Sequence, residues 1–223
     1  MIDWMLHIDS YCERTDASFF SEPLNFISNL AFILAAWSIQ KQIRRFGLKV
    51  RWDIRLQVLL VYAIGIGSAL FHSFATMWAM IADVLPISFF VLYYLWYWLA
   101  RCLRLAPRKL ILLVTLLGLV TTWASLTLAT APLGGSQSYL GVAVFLLGVG
   151  LDQKRRQYNP PYLLWAAWGF FASLTFRSID PYICDYLPIG THFLWHITNA
   201  AVLYVCLLNS LYGEHIRKAR GLS

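Results

Sequence analysis

From Leu110 to Leu151 the chain carries no charged residue, a run about twice the roughly 20 residues that one membrane-spanning helix needs. Its middle holds Pro132-Leu133-Gly134-Gly135-Ser136, a turn signal, so the run reads as two helices. Further uncharged stretches run from Pro23 to Gln40 and from Leu56 to Ala82, the latter breaking near Ala75-Thr76-Met77. A third follows Asp83 and ends at Ala100, a sixth lies between Gln157 and Phe176, and a seventh between Gly190 and Tyr212. These runs lack period-two alternation and are too long for strands. The expected fold is an all-α integral membrane protein, a bundle of seven transmembrane helices. Composition agrees: 59% of residues are hydrophobic and 13% charged, against about 45–50% and about 25% in soluble domains. An ordinary soluble enzyme and a disordered chain are both excluded. The expected organisation is an outer-face segment over 1–22, the membrane domain over 23–212 and a basic tail over 213–223.

The loops set the orientation. The net charge is +7. In a soluble protein such a balance points to nucleic acid, whereas in a membrane protein it marks cytoplasmic loops. Lys41, Arg44, Arg45, Lys49, Arg51 and Arg55 lie between spans one and two, and Arg101, Arg104, Arg108 and Lys109 between three and four. Lys154, Arg155 and Arg156 lie between five and six, and Arg217, Lys218 and Arg220 follow span seven. These sixteen fall on one side, and only Arg14 and Arg177 fall on the other. The N-terminus is therefore expected outside and the C-terminus in the cytoplasm. The first residues have no basic start and are interrupted by Asp3, Asp9, Glu13, Asp16 and Glu22, unlike a signal peptide. The outer side corresponds to a bacterial periplasm or to an endoplasmic reticulum or Golgi lumen. No nucleic-acid partner and no obligate protein partner is expected.

Cys12 and Cys184 both fall in outer segments, where an oxidising compartment permits a disulfide. A Cys12–Cys184 bridge is the expectation, with two free thiols as the alternative. Cys102 lies beside the inner loops and Cys206 within span seven. The outer face is acidic, with Asp9, Glu13, Asp16, Glu22, Asp180 and Asp185. It reads either as a solvated rim or as a source of clustered oxygens for calcium.

Ionisable residues inside spans are costly and usually functional. Span two carries Ser68 and His72, span three opens with Asp83, and span seven carries His192 and His196 with Asn199 beyond. Ser68 and His72 are four apart and share a helix face, as do His192 and His196. An H-x-x-x-H pair presents two imidazoles to one metal, and His72 supplies a third. Three histidines leave one position open, the arrangement of a catalytic zinc site. The expected topology places His72, Asp83, His192 and His196 at one depth below the outer face. The alternative is three hydrogen-bonding core histidines. His7 and His215 read as surface residues.

Three blocks of this sequence resemble the alkaline ceramidase family. The first is Tyr11-Cys12-Glu13, followed by Glu22 and Asn25-Phe26-Ile27-Ser28-Asn29-Leu30. The second is Gly67-Ser68-Ala69-Leu70-Phe71-His72, with Asp83 and Pro86 downstream. The third is Ile179-Asp180, Cys184 and His192-Phe193-Leu194-Trp195-His196. The S-x-x-x-H, Asp and H-x-x-x-H combination is shared with the wider superfamily that includes adiponectin and progestin receptors. The resemblance implies a seven-helix hydrolase with zinc on His72, His192 and His196, catalytic support from Ser68 and Asp83, and a Cys12–Cys184 disulfide. It also implies calcium in the N-terminal segment, with Asp9, Glu13, Asp16 and Glu22 as candidates. Ser10 and Thr15 stand where the family carries Asp and Asn. The implied substrate is a membrane lipid, ceramide or another N-acyl lipid, cleaved to a fatty acid and a sphingoid-type amine. In that reaction Asp83 handles the proton of the attacking water, or else orients a zinc histidine, and Ser68 donates to the oxyanion. Competing readings are a receptor-like protein with a structural zinc and a lipid ester hydrolase. A channel or transporter is disfavoured, because no spans look like paired broken helices.

Overall fold

The computed structural model describes residues 3–128, 133–157 and 160–219. Pro132 of the expected turn and Arg220 of the basic tail lie outside them, as do the side chains of Arg101, Cys102, His215, Arg217 and Lys218. The described chain is helical, with no strand beyond an isolated bridge between His7 and Thr76. The α-helices are α1 Pro23–Ser28, α2 Leu30–Arg45, α3 Trp52–Phe74, α4 Met77–Trp96, α5 Pro107–Thr127, α6 Leu140–Arg155, α7 Tyr162–Ile179 and α8 His192–Ala219.

The first expected span is interrupted. The Asn25 carbonyl accepts bonds from Ser28 Oγ at 2.9 Å and Asn29 Nδ2 at 2.8 Å. These side chains take the acceptor that the Asn29 amide would use, and that amide bonds instead to the Phe26 carbonyl at 3.3 Å. The chain stays in the helical region at Asn29, φ −65 and ψ −18, so α1 leads into α2.

The α3–α4 turn falls at Ala75-Thr76, where Ala75 adopts the left-handed conformation at φ 45 and ψ 46. Helix α4 therefore starts at Met77, and Asp83 lies in its second turn instead of opening the span. The N-terminal segment crosses this turn: Ile8 N–H donates to the Ala75 carbonyl at 2.7 Å, and Met77 N–H donates to the Leu6 carbonyl at 3.0 Å. It thereby satisfies an amide at the start of α4. Helix α4 ends in a π-helical turn over Tyr97–Cys102. The expected central turn is present at Gly134 and Gly135, φ 51 and 80, followed by a 3-10 turn over Ser136–Tyr139. Helix α8 runs on to Ala219, through most of the expected tail.

The helices pack as a ring. Helix α3 lies against α2 and α4, α7 against α6 and α8, and α8 closes on α2 while also meeting α3. The core between them contains Phe32, Ile64, Phe90, Leu146, Leu163, Phe170 and Leu207. Away from the histidines, Gln153 donates to Asn209 at 2.6 Å and Ser210 to Gln57 at 2.7 Å, polar links between helices in an apolar interior. Helix α5 is apolar all round and almost unburied, with Leu112 66% and Leu126 74% exposed. Such a surface suits lipid, not water. Among the described residues, four helices are long and apolar enough to cross a membrane: Trp52–Phe74, Met77–Ala100, Pro107–Thr127 and His192–Tyr212.

Candidate metal centre

Two helix ends supply the centre. His72 stands in the last turn of α3, and His192 and His196 occupy the first two turns of α8. All three are buried. Each offers a nitrogen within 4.8 Å of the others, and among the described residues no other set of His, Cys, Asp or Glu side chains does so. Helix α8 is placed by Asp180, whose Oδ1 accepts the amides of Thr191 at 2.6 Å and His192 at 2.9 Å. This buried cap replaces the solvated-rim reading of Asp180.

The hydrogen bonds fix which nitrogens face inward. Glu22 Oε2 meets His72 Nδ1 at 2.5 Å. Burial works against the Glu22 charge, but bonds from His72, Asn25 and Arg14 outweigh it and hold Glu22 below the ordinary carboxylate range. An ionised carboxylate only accepts, so the His72 proton sits on Nδ1. Ser28 Oγ is 2.7 Å from His196 Nδ1 and directs its own proton to the Asn25 carbonyl. It must therefore accept from His196 Nδ1. The Nε2 lone pairs of His72 and His196 then confront each other at 3.2 Å in a buried site. A shared positive centre relieves that repulsion. Two nitrogens on one tetrahedral zinc lie about 3.3 Å apart, given bonds of ~2.0–2.1 Å, so the donor set fits zinc. His192 stacks on Tyr11, ring centroids 3.6 Å apart, and its Nδ1 has no partner.

A cavity of about 380 Å³ opens beside the triad, lined in part by Ser68, Asp83, Tyr11, Arg177, His192 and His196. Ser68 Oγ lies 3.5 Å from His196 Nε2. Asp83 faces Ser68, and its Oδ1 is buried without a partner. An apolar cleft of about 60 Å³ among α4, α6, α7 and α8 adjoins the cavity, the two sharing Ile64, Ile87, Tyr139 and Asn199 as lining residues. Arg177, expected in an outer loop, belongs to the last turn of α7. It donates to the Tyr11 hydroxyl at 3.3 Å and lies over the Tyr139 and Trp195 rings. Burial pushes the Tyr11 phenol up, so it stays neutral as the acceptor.

The structure brings together His72, His192, His196, Ser68 and Asp83. It joins Cys12 to Cys184 in a disulfide across 172 positions, tethering the N-terminal segment to the α7–α8 connection. The four calcium candidates do not share a site. Asp9 is exposed, and Asp16 Oδ1 accepts the Ser18 amide at 2.8 Å on the surface. Glu13 caps α1, taking the amides of Leu24 at 2.6 Å and Asn25 at 2.8 Å. Glu22 serves His72. Sequence reasoning missed Glu22 and Ser28 as partners of the histidines, and Arg14, Tyr11 and Arg177 as site residues. The sequence did carry one signal: Arg14 and Arg177 are the two basic residues on the wrong side of the charge count, and both are drawn into the interior.

No curated protein sequence matches the chain. A sequence model of the ceramidase family matches residues 9–221, nearly its whole length and a range that contains the centre described above. The chain belongs to the ceramidase family.

Proposed function

We propose that the protein is a zinc-dependent amidohydrolase that cleaves ceramide or a related N-acyl lipid within a membrane, giving a fatty acid and a sphingoid-type amine. The observation that carries this reading is the meeting of His72 and His196 through their Nε2 atoms, 3.2 Å apart in a buried site, with His192 and His196 lining a cavity. Zinc held by His72, His192 and His196 would supply a Lewis acid and make water a nucleophile near neutral pH. The chain's own residues do the rest. Asp83, with an unpartnered Oδ1 in the cavity, takes the proton of the attacking water and returns it to the leaving amine. Its freedom supports this role over an orienting one, because Glu22 and Ser28 already orient two of the imidazoles. Ser68 Oγ donates to the acyl oxygen as negative charge develops. The apolar side chains around the adjoining cleft offer the acyl chain a dry surface to lie against. The remaining helices complete seven spans, with the triad near the outer face and the basic loops in the cytoplasm.

The test is to purify the protein in detergent, measure bound metals, and assay fatty-acid release from a panel of lipid amides and esters. His196→Ala is expected to lose both zinc and hydrolysis. Metal-free protein cleaving at the parent rate would overturn the proposal. Cleavage of esters alone would replace the amide substrate with an ester.

A further inference from the structure

The Arg14 side chain has no exposed surface. Its guanidinium serves four acceptors. Nε donates to Glu22 Oε1 at 2.5 Å, Nη1 donates to the carbonyls of Asp16 at 3.1 Å and Ser18 at 3.3 Å, and Nη2 donates to the His72 carbonyl at 2.9 Å. One carboxylate and three carbonyls thus surround a positive group, the oxygen set that a hard cation selects. The family resemblance implies such a cation in the N-terminal segment, and here a side chain stands among the oxygens.

This placement acts on the metal centre. Glu22 divides its oxygens, Oε1 to Arg14 and Oε2 to His72 Nδ1 and Asn25 Nδ2. The carboxylate is planar, so fixing Oε1 fixes the aim of Oε2. Arg14 also holds the backbone carbonyl of His72 itself. One rigid fork therefore grips both the histidine main chain and the acid that orients its ring.

We propose that Arg14 is a positioning residue, a built-in cation that holds Glu22 onto His72 and thereby sets metal affinity without any bound divalent ion in the outer segment. The inference rests on zinc binding at the triad as proposed above.

The test is zinc affinity, measured by competition with a chelating dye on metal-stripped parent protein, Arg14→Ala and Arg14→Lys, in calcium-free buffer and with millimolar calcium. The parent is expected to bind zinc equally in both buffers. Arg14→Ala is expected to bind about 10–100-fold more weakly without calcium, the usual cost of losing a group that orients a ligand. Added calcium should restore part of that loss by entering the vacated oxygens. Arg14→Lys, which keeps the charge but not the fork, should fall between. Simple loosening of the fold gives no recovery with calcium. The proposal is overturned if calcium tightens zinc binding to the parent, or if folded Arg14→Ala with its disulfide intact binds zinc as tightly as the parent. If the variants cannot be purified folded, the calcium response of the parent decides. A parent that takes up no zinc sinks the metal reading itself, a result distinct from either.

Discussion

Ser68 stands one helical turn before His72 on α3, with its hydroxyl facing both the Asp83 carboxyl and His196 Nε2. In the proposed hydrolysis, a donor so placed has little to do in the ground state and gains strength as charge builds on the acyl oxygen. Ser68→Ala is therefore expected to keep its zinc and roughly its KM while kcat falls by about 10²–10³-fold. A variant with the parent kcat removes Ser68 from the chemistry. These residues were legible in the sequence because they sit on helices, where a spacing of four fixes a shared face. Glu22, Ser28 and Arg14 obey no such period. Glu22 reaches His72 from an irregular segment 50 positions away, and Ser28 reaches His196 across 168. Only the folded chain shows those meetings.

Helices α3 and α4 bring Ser68, His72 and Asp83 together by approaching backbone to backbone. A Cβ at Gly67 would run into the Ala82 carbonyl on α4. Gly67→Val must push the two helices apart and carry Asp83 away from Ser68. Displacement of a catalytic group by about 1 Å can cost about 10²-fold in rate, and a loss of that order is expected, with a lowered Tm. Gly118→Ala on α5 is the control: nothing lies within 4 Å of its position, so activity and Tm should hold. Equal behaviour of the two variants would mean that the close α3–α4 contact does not hold Asp83 beside Ser68. The helices themselves were largely legible, since apolar length and turn residues mark them. The departures have local causes. Ser28 and Asn29 interrupt the first span by taking the Asn25 carbonyl, and Ala75 closes α3 in a left-handed turn that puts Asp83 inside α4. Neither follows from hydropathy, which does not register a side chain competing for a backbone acceptor.

At the scale of the whole molecule, the charge asymmetry is sharper than a count along the chain suggests. The proposed topology assigns sixteen of the eighteen Lys and Arg residues of the sequence to cytoplasmic segments. The two at the other end are not surface charges: Arg14 is enclosed by Glu22 and three carbonyls, and Arg177 lines the cavity. Among the described residues, that end thus presents acids and no exposed Lys or Arg. Placed against a membrane, such a molecule has one favoured orientation, because basic segments are retained in the cytoplasm. The disulfide between Cys12 and Cys184 lies at the same end as the acids, in keeping with an oxidising compartment there. Single cysteines at two exposed positions test this directly. Ser18→Cys is expected to react with a membrane-impermeant maleimide on intact cells or sealed vesicles with the outer face exposed. Lys49→Cys, in the α2–α3 connection, should react only after the membrane is opened. Reaction of Lys49→Cys from outside, or of both variants equally on sealed membranes, defeats the orientation. It would also remove the reason for placing the histidine triad beneath the outer face, leaving the metal centre in place but facing the cytoplasm.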